Sequence, residues 1–217
     1  MRHHLCLPAV LIALALALAL PAASGAVGVE MGVKAGLNLA NFRGEFAGLA
    51  GTGTKMGFLG GPFVAFSFAP DLALQVEALF SMKGAKISSE VVDEAGNPLG
   101  RFDTFVSVNY LEVPVLLRCS LLKSAPVQPI LYLGPTVGIK MSGRVKSDFL
   151  AFDDRELQDL RTLDFGAAVG AGVGVKLGGR RLLADVRYTT GFADIYDIEG
   201  NAESINRVIA LTAGITF

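Results

Sequence analysis

The chain has 217 residues, 52% of them hydrophobic and 18% charged, with 26 glycines and a formal net charge of −1. That balance offers no basic surplus for a nucleic-acid partner. Beyond residue 26 no apolar run is long enough to cross a bilayer as a helix.

Residues 1–26 stand apart. Arg2, His3 and His4 make a short basic start, Leu5–Leu20 is an almost unbroken Leu/Ala run, and Ser24-Gly25-Ala26 fits a small-x-Ala cleavage site. This is the pattern of a secretory signal peptide rather than of an uncleaved membrane helix. Cys6 lies inside the apolar run, not just after it, which argues against a lipoprotein anchor. Removal of the segment leaves 27–217 as a single domain with one cysteine, Cys119, and no histidine. No intrachain disulfide or cysteine metal cluster is then expected.

The mature chain is a series of period-two segments, each with one apolar face and one polar or small face. In order they are Val29–Leu39, Met56–Phe68, Leu72–Lys83, Phe105–Arg118, Val127–Ser142, Leu163–Lys176, Leu182–Gly191 and Asn206–Phe217. Pro62 and Pro114 are the two irregularities, because proline lacks a ladder donor. Most segments are longer than a soluble strand and suit a tilted crossing of lipid. Ala69-Pro70-Asp71, Cys119–Pro126 and Gly178-Gly179-Arg180-Arg181 are short connections. They alternate with the longer polar stretches Ala40–Lys55, Gly84–Asp103, Gly143–Thr162 and Phe192–Ile205. Short periplasmic turns and long outer loops are the habit of an outer-membrane barrel. The expected fold is therefore all-β: an eight-stranded antiparallel up-and-down transmembrane β-barrel behind a signal peptide.

The apolar faces carry almost no charge. The opposite faces carry Glu30, Glu77, Glu112, Asp164 and Asp185 against Lys34, Lys83, Arg118, Lys140, Lys176 and Arg187. In a lumen filled by side chains such groups must pair, since a buried charge without its partner costs about 3–5 kcal/mol. Lys34, Glu77, Lys83, Glu112, Arg118, Lys140, Asp164, Lys176, Asp185 and Arg187 are thus expected to form a lumenal charge network. Phe58, Phe80, Phe105, Phe165 and Tyr188 are expected in an outer aromatic girdle, and Phe66, Phe68 and Phe217 in a periplasmic one. Alternation alone does not say which face meets lipid. A soluble lipocalin-like barrel, apolar inside and polar outside, is the competing reading.

Gly32-Val33-Lys34-Ala35-Gly36-Leu37-Asn38, the stretch Gln75–Gly84 (QVEALFSMKG), and Tyr110-Leu111-Glu112-Val113-Pro114 with Leu116-Leu117-Arg118 carry a family likeness. Tyr132-Leu133-Gly134-Pro135, Asp185-Val186-Arg187-Tyr188 and the terminal Phe217 complete it. Together they resemble the outer-membrane β-barrel domain family, porin-family or PorT-like small barrels. The resemblance covers essentially the whole mature chain and implies an eight-stranded barrel in the cell outer membrane. It also implies that the C-terminal strand ending in Phe is read by the barrel-insertion machinery.

Outer-membrane enzymes of the phospholipase, lipid A-modifying and omptin types rely on a histidine, which the mature chain lacks. The carboxylate pair Glu77 and Glu112 is read instead as lumenal charge, pairing with Arg118 and Lys83. Gly170-Ala171-Gly172-Val173-Gly174 lies inside a strand with no helix after it, so it is not a nucleotide fingerprint. Its glycines make room for bulky lumenal neighbours such as Tyr110, Tyr132 or an arginine. Gly48–Lys55 (GLAGTGTK) is likewise no P-loop. The acidic segments Asp148–Arg161 and Asp194–Glu199 read as solvated loop charge rather than a Ca²⁺ or partner site, with Asp153–Arg161 compatible with a short helix. No cofactor, metal or nucleic acid is expected. The expected partners are outer-membrane lipid, the insertion machinery and a partner outside the cell. The role is structural or surface-interacting, with a narrow channel or a PorT-like accessory role in secretion as the alternative.

Overall fold

The computed structural model describes residues 28–43, 51–92, 98–122, 125–147, 155–156, 162–192 and 205–217. The expected signal peptide and the acidic segment Asp194–Glu199 lie outside them. The strands are β1 (Gly28–Arg43), β2 (Gly51–Ser67), β3 (Leu72–Glu77), β4 (Leu79–Val92), β5 (Pro98–Ser120) and β6 (Val127–Ser147). After the two-residue β7 (Arg155–Glu156) follow β8 (Leu163–Leu177), β9 (Arg180–Gly191) and β10 (Ile205–Thr216). Every neighbouring pair is antiparallel, and β1 pairs with both β2 and β10, so the sheet closes on itself. β3 and β4 form one stave and β7 is an appendage of β6, which makes an eight-stave up-and-down barrel.

The two irregular prolines explain why one stave is interrupted into two strands. The Ala78 amide donates to the Pro62 carbonyl at 3.0 Å, and Pro62 has no amide hydrogen to return. On the other side Pro114 falls between the pairs Val76↔Val115 and Leu79↔Glu112, again without a donor. The ladder lapses there on both sides, but the in–out alternation runs through it unbroken. Gln75, Glu77, Leu79, Ser81 and Lys83 are all buried.

One closed circuit of cross-strand partners fixes the barrel's geometry. It runs from Val29 through Phe66, Leu74, Leu117, Leu133, Val169, Tyr188 and Ile209 and back to β1 at Leu39, ten residues beyond its start. With a rise of about 3.3 Å and a strand spacing of about 4.8 Å, a shear of ten over eight staves tilts the strands by about 40° and sets a backbone radius of about 8 Å. That cylinder has room for side chains and little else. Every residue on the circuit faces outward.

The faces sort cleanly. Val29, Met31, Val33, Leu37, Leu131, Leu133, Val186, Ile209 and Leu211 are among many large apolar residues left 42–60% exposed on the outside. Lys34, Glu77, Asp185 and Arg187 are buried inside. This is the inverse of a lipocalin-like enclosure of apolar groups, and lipid is the solvent that tolerates it.

Three expectations need correction. The staves continue past the expected ends: β4 runs to Val92 rather than Lys83, β5 begins at Pro98 rather than Phe105, and β6 reaches Ser147. Above the membrane nothing demands an apolar face, so a hairpin rich in β-branched residues (Ile87, Val91, Val92) keeps zipping without showing the pattern that marks lipid contact. Arg155–Glu156 pairs with Arg144–Val145 as a strand, not a helix. Finally, the β8–β9 turn is only Gly178-Gly179, because Leu177 already pairs with Arg180 and Lys176 with Arg181. Gly178 takes φ +63°, a left-handed conformation that glycine, without a Cβ, adopts at no steric cost.

Candidate functional site: the lumenal ion-pair column

Inward-facing positions of five staves converge on the barrel axis and form three tiers of charge. At the periplasmic end, Arg118 of β5 donates through both terminal nitrogens to Glu30 of β1, at 2.8 and 3.3 Å. Arg181 of β9 reaches the same carboxylate at 2.6 Å. Arg118 also donates to Gln75 Oε1 at 3.3 Å, and Gln75 Nε2 donates to Glu77 Oε1 at 2.5 Å, linking this tier to the next.

The middle tier is a quartet. Arg187 forks onto Glu77 with contacts of 2.7 and 2.9 Å, the bidentate geometry that makes such pairs strong. Lys34 lies between Glu77 at 3.0 Å and Asp185 at 3.2 Å, and Arg187 approaches Asp185 at 3.9 Å. Two cations meet two anions with all four side chains almost fully buried, so the tier is neutral. The Tyr132 ring carries both cations against its face, Lys34 and Arg187 each 5.5 Å from the centroid, and Phe63 stacks on Lys34 at 5.4 Å. Glycines on β8 provide the space. A Cβ added at Gly172 would lie 2.7 Å from the Asp185 Cβ, and one at Gly170 would lie 3.2 Å from the Arg187 Cα.

The outer tier is Lys83, paired with Glu112 at 2.8 Å and Asp164 at 3.8 Å under the Tyr110 ring. Apolar packing fills the levels between. Phe63, Leu116, Ile130, Tyr132, Ala168 and Leu183 form one buried cluster and Leu59, Leu79 and Ala210 another. Asn38 donates to Ser81 at 2.9 Å beside the second. At the periplasmic mouth a cavity of about 120 Å³ is lined by Glu30, Asp71, Arg118, Gln128, Lys176 and Arg181. The crevice around Lys83, Thr136, Asp164 and Thr189 at the other end admits no water-sized sphere.

The network residues inferred from sequence thus occupy definite places. Lys34, Glu77, Asp185 and Arg187 are brought together, as are Lys83, Glu112 and Asp164. Lys176 is exposed at the periplasmic mouth, and Lys140 is half-buried towards the outer end. The expected pairing of Glu77 with Arg118 is not made directly. Glu30 occupies Arg118, and Glu77 meets it only through Gln75. Arg181, read as a turn residue, is a member of the first tier. Its position in step with Leu183, Asp185 and Arg187 was the available signal. Glu77 and Glu112 are not a free carboxylate pair, since different cations hold them.

Outside, Phe58 stands eight residues up β2 from Phe66, about 20 Å along the axis at this tilt. Phe58, Phe80, Phe165 and Tyr188 form the upper aromatic level, and Phe66, Phe68 and Phe217 the lower. Their spacing matches an apolar band of about 25 Å. Phe105 departs from expectation. It lies six residues up β5 from Leu111, the partner of Phe80, and so stands well above that level.

A family model described as outer membrane protein beta-barrel domain matches residues 23–197, most of the chain. β10 lies beyond the match yet closes the barrel against β1. Comparison with curated proteins finds no match. Among solved structures, a major outer membrane protein from Thermus thermophilus is 17% identical, with 88% of this chain and 99% of that one covered and a TM-score of 0.50. Neisserial surface protein A is 18% identical over 87% of this chain and 97% of its own, with a TM-score of 0.46. Ail, the attachment invasion locus protein of Yersinia pestis, is 14% identical over 87% and 98%, with a TM-score of 0.42. At such identities the likeness concerns the fold. Together, the family match and a closed barrel with an apolar outer face establish that the chain belongs to the outer membrane protein beta-barrel domain family and resides in the outer membrane.

Proposed function

We propose that this protein is a sealed, non-catalytic outer-membrane barrel that works through the surface it presents outside the cell. The observation that supports this is the filled lumen: a neutral ionic quartet and two apolar clusters occupy the axis of a cylinder only about 8 Å in radius. Open diffusion pores have about 16–18 strands. Both oxygens of Glu77 are engaged by cations and Glu112 is engaged by Lys83, which leaves neither poised as a base.

The closing Phe217, two-thirds exposed on the outward face, is the residue through which the barrel-insertion machinery would read the C-terminal strand. A narrow channel, or a PorT-like accessory of secretion, is the second reading. The periplasmic cavity is the feature in its favour, and that cavity ends below the quartet.

Planar-bilayer recording tests the reading. Reconstituted protein should leave the membrane at its closed baseline, and a steady open level would replace the first reading with the second. Lipid or peptide hydrolysis abolished by Glu77→Gln or Glu112→Gln would overturn the non-catalytic assignment.

A further inference from the structure

Between the two aromatic levels, the outward face carries no charged side chain among the described residues. Immediately above the upper level it becomes basic. Arg207 follows Ile209 outward along β10, half-buried, and its Nε finds no acceptor among the described residues. Lys86 pairs across the strands with Phe105, its Nζ 5.7 Å from the ring centroid. Arg144 is exposed on β6, in register with Ser107. Lys146 follows in register with Phe105, and Arg43 is in register with Ile205 where β1 leaves β10. Among the described residues, carboxylates are fewer at this height. Glu156 is in register with Arg144, Asp103 with Ser88 one row farther out, and Glu90 with Arg101 beyond that.

Position identifies what meets these cations. Lys86, Arg144 and Arg207 sit on the lateral wall, so their neighbour is whatever surrounds the barrel just outside the hydrocarbon. Lys86 is six residues above Phe80 on one stave, about 15 Å higher along the axis. An ordinary phospholipid headgroup layer adds only about 5–8 Å beyond the hydrocarbon. Arg207 lies within that layer, whereas Lys86 and Arg144 stand above it. A headgroup that carries phosphate on a thick saccharide spans both heights. We infer that this belt binds the phosphate groups of a phosphorylated glycolipid in the outward leaflet. The inference rests on the barrel's placement in the membrane and not on the sealed, non-catalytic reading.

The test uses the full folded chain in zwitterionic micelles. It is mixed with diphosphorylated lipid A, with the same lipid A after dephosphorylation, or with phosphatidylglycerol. The protein is then repurified and the retained lipid counted by mass spectrometry. Diphosphorylated lipid A should be retained about tenfold more than either alternative at low salt. Most of that preference should vanish at 1 M salt, where the Debye length falls to about 3 Å. The variant combining Lys86→Gln, Arg144→Gln and Arg207→Gln should lose it, while Arg180→Gln, at the opposite rim, should keep it. Equal retention of the phosphorylated and dephosphorylated forms by the unaltered protein would overturn the proposal. So would undiminished retention by the folded triple variant. Phosphatidylglycerol held as well as lipid A would defeat the saccharide assignment.

Discussion

Replacing Glu77 by Gln probes the quartet most directly. The unaltered carboxylate takes two contacts from Arg187, one from Lys34 and one from Gln75, and its side chain has no exposure to solvent. The amide keeps the shape but removes the charge and turns one acceptor into a donor aimed at cations. Asp185 alone then faces Lys34 and Arg187, so the tier changes from neutral to singly positive inside a dry cylinder. Breaking a buried pair by removing one partner costs about 3–5 kcal/mol. At about 1.4 kcal/mol per decade, that is roughly two to four orders of magnitude in the folding equilibrium. Urea titration in lipid vesicles, with folded and unfolded protein separated by gel mobility before boiling, measures the shift. Adding Lys34→Met restores neutrality and should recover most of the loss, giving a coupling energy of at least about 2 kcal/mol in the double-mutant cycle. A Glu77→Gln barrel within about 0.5 kcal/mol of the original, or a double variant no better than the single one, would refute the idea that charge balance holds the lumen together.

Lys83→Met leaves Glu112 and Asp164 facing each other without their shared cation, and should destabilise the barrel by about 2–4 kcal/mol in the same titration. Leu133→Arg tests the outward face. Leu133 is 60% exposed and stands halfway along the circuit of partners, near the bilayer midplane, so an arginine there should cost about 2–4 kcal/mol in vesicles. A soluble barrel would tolerate it. Gly172→Val puts a branched side chain against the Asp185 Cβ and should abolish heat-modifiable folding, whereas Gly179→Ala, with open space around its Cβ position, should fold as before. Phe217→Ala should slow assembly catalysed by the insertion machinery while leaving spontaneous folding in detergent unchanged.

Period-two alternation is local, which is why so much of the barrel could be read along the chain. A residue's face depends only on its parity within a strand, and lipid imposes an apolar face over each crossing. The number of staves, the parity of turns and loops, and the inward face shared by Lys34, Glu77, Asp185 and Arg187 all follow from that. The partners of these charges do not. Arg187 and Glu77 are 110 positions apart and Arg181 and Glu30 are 151 apart. They meet because a shear of ten brings particular positions of non-neighbouring staves to one height across the axis. No short-range pattern encodes shear, so Glu30 rather than Glu77 took Arg118. The stave ends were also hidden, because above the headgroups water no longer demands one apolar face. The basic belt, with Lys86 and Arg144 on those upper extensions and Arg207 near the top of β10, came into view only when the closed cylinder placed all three on its outer wall.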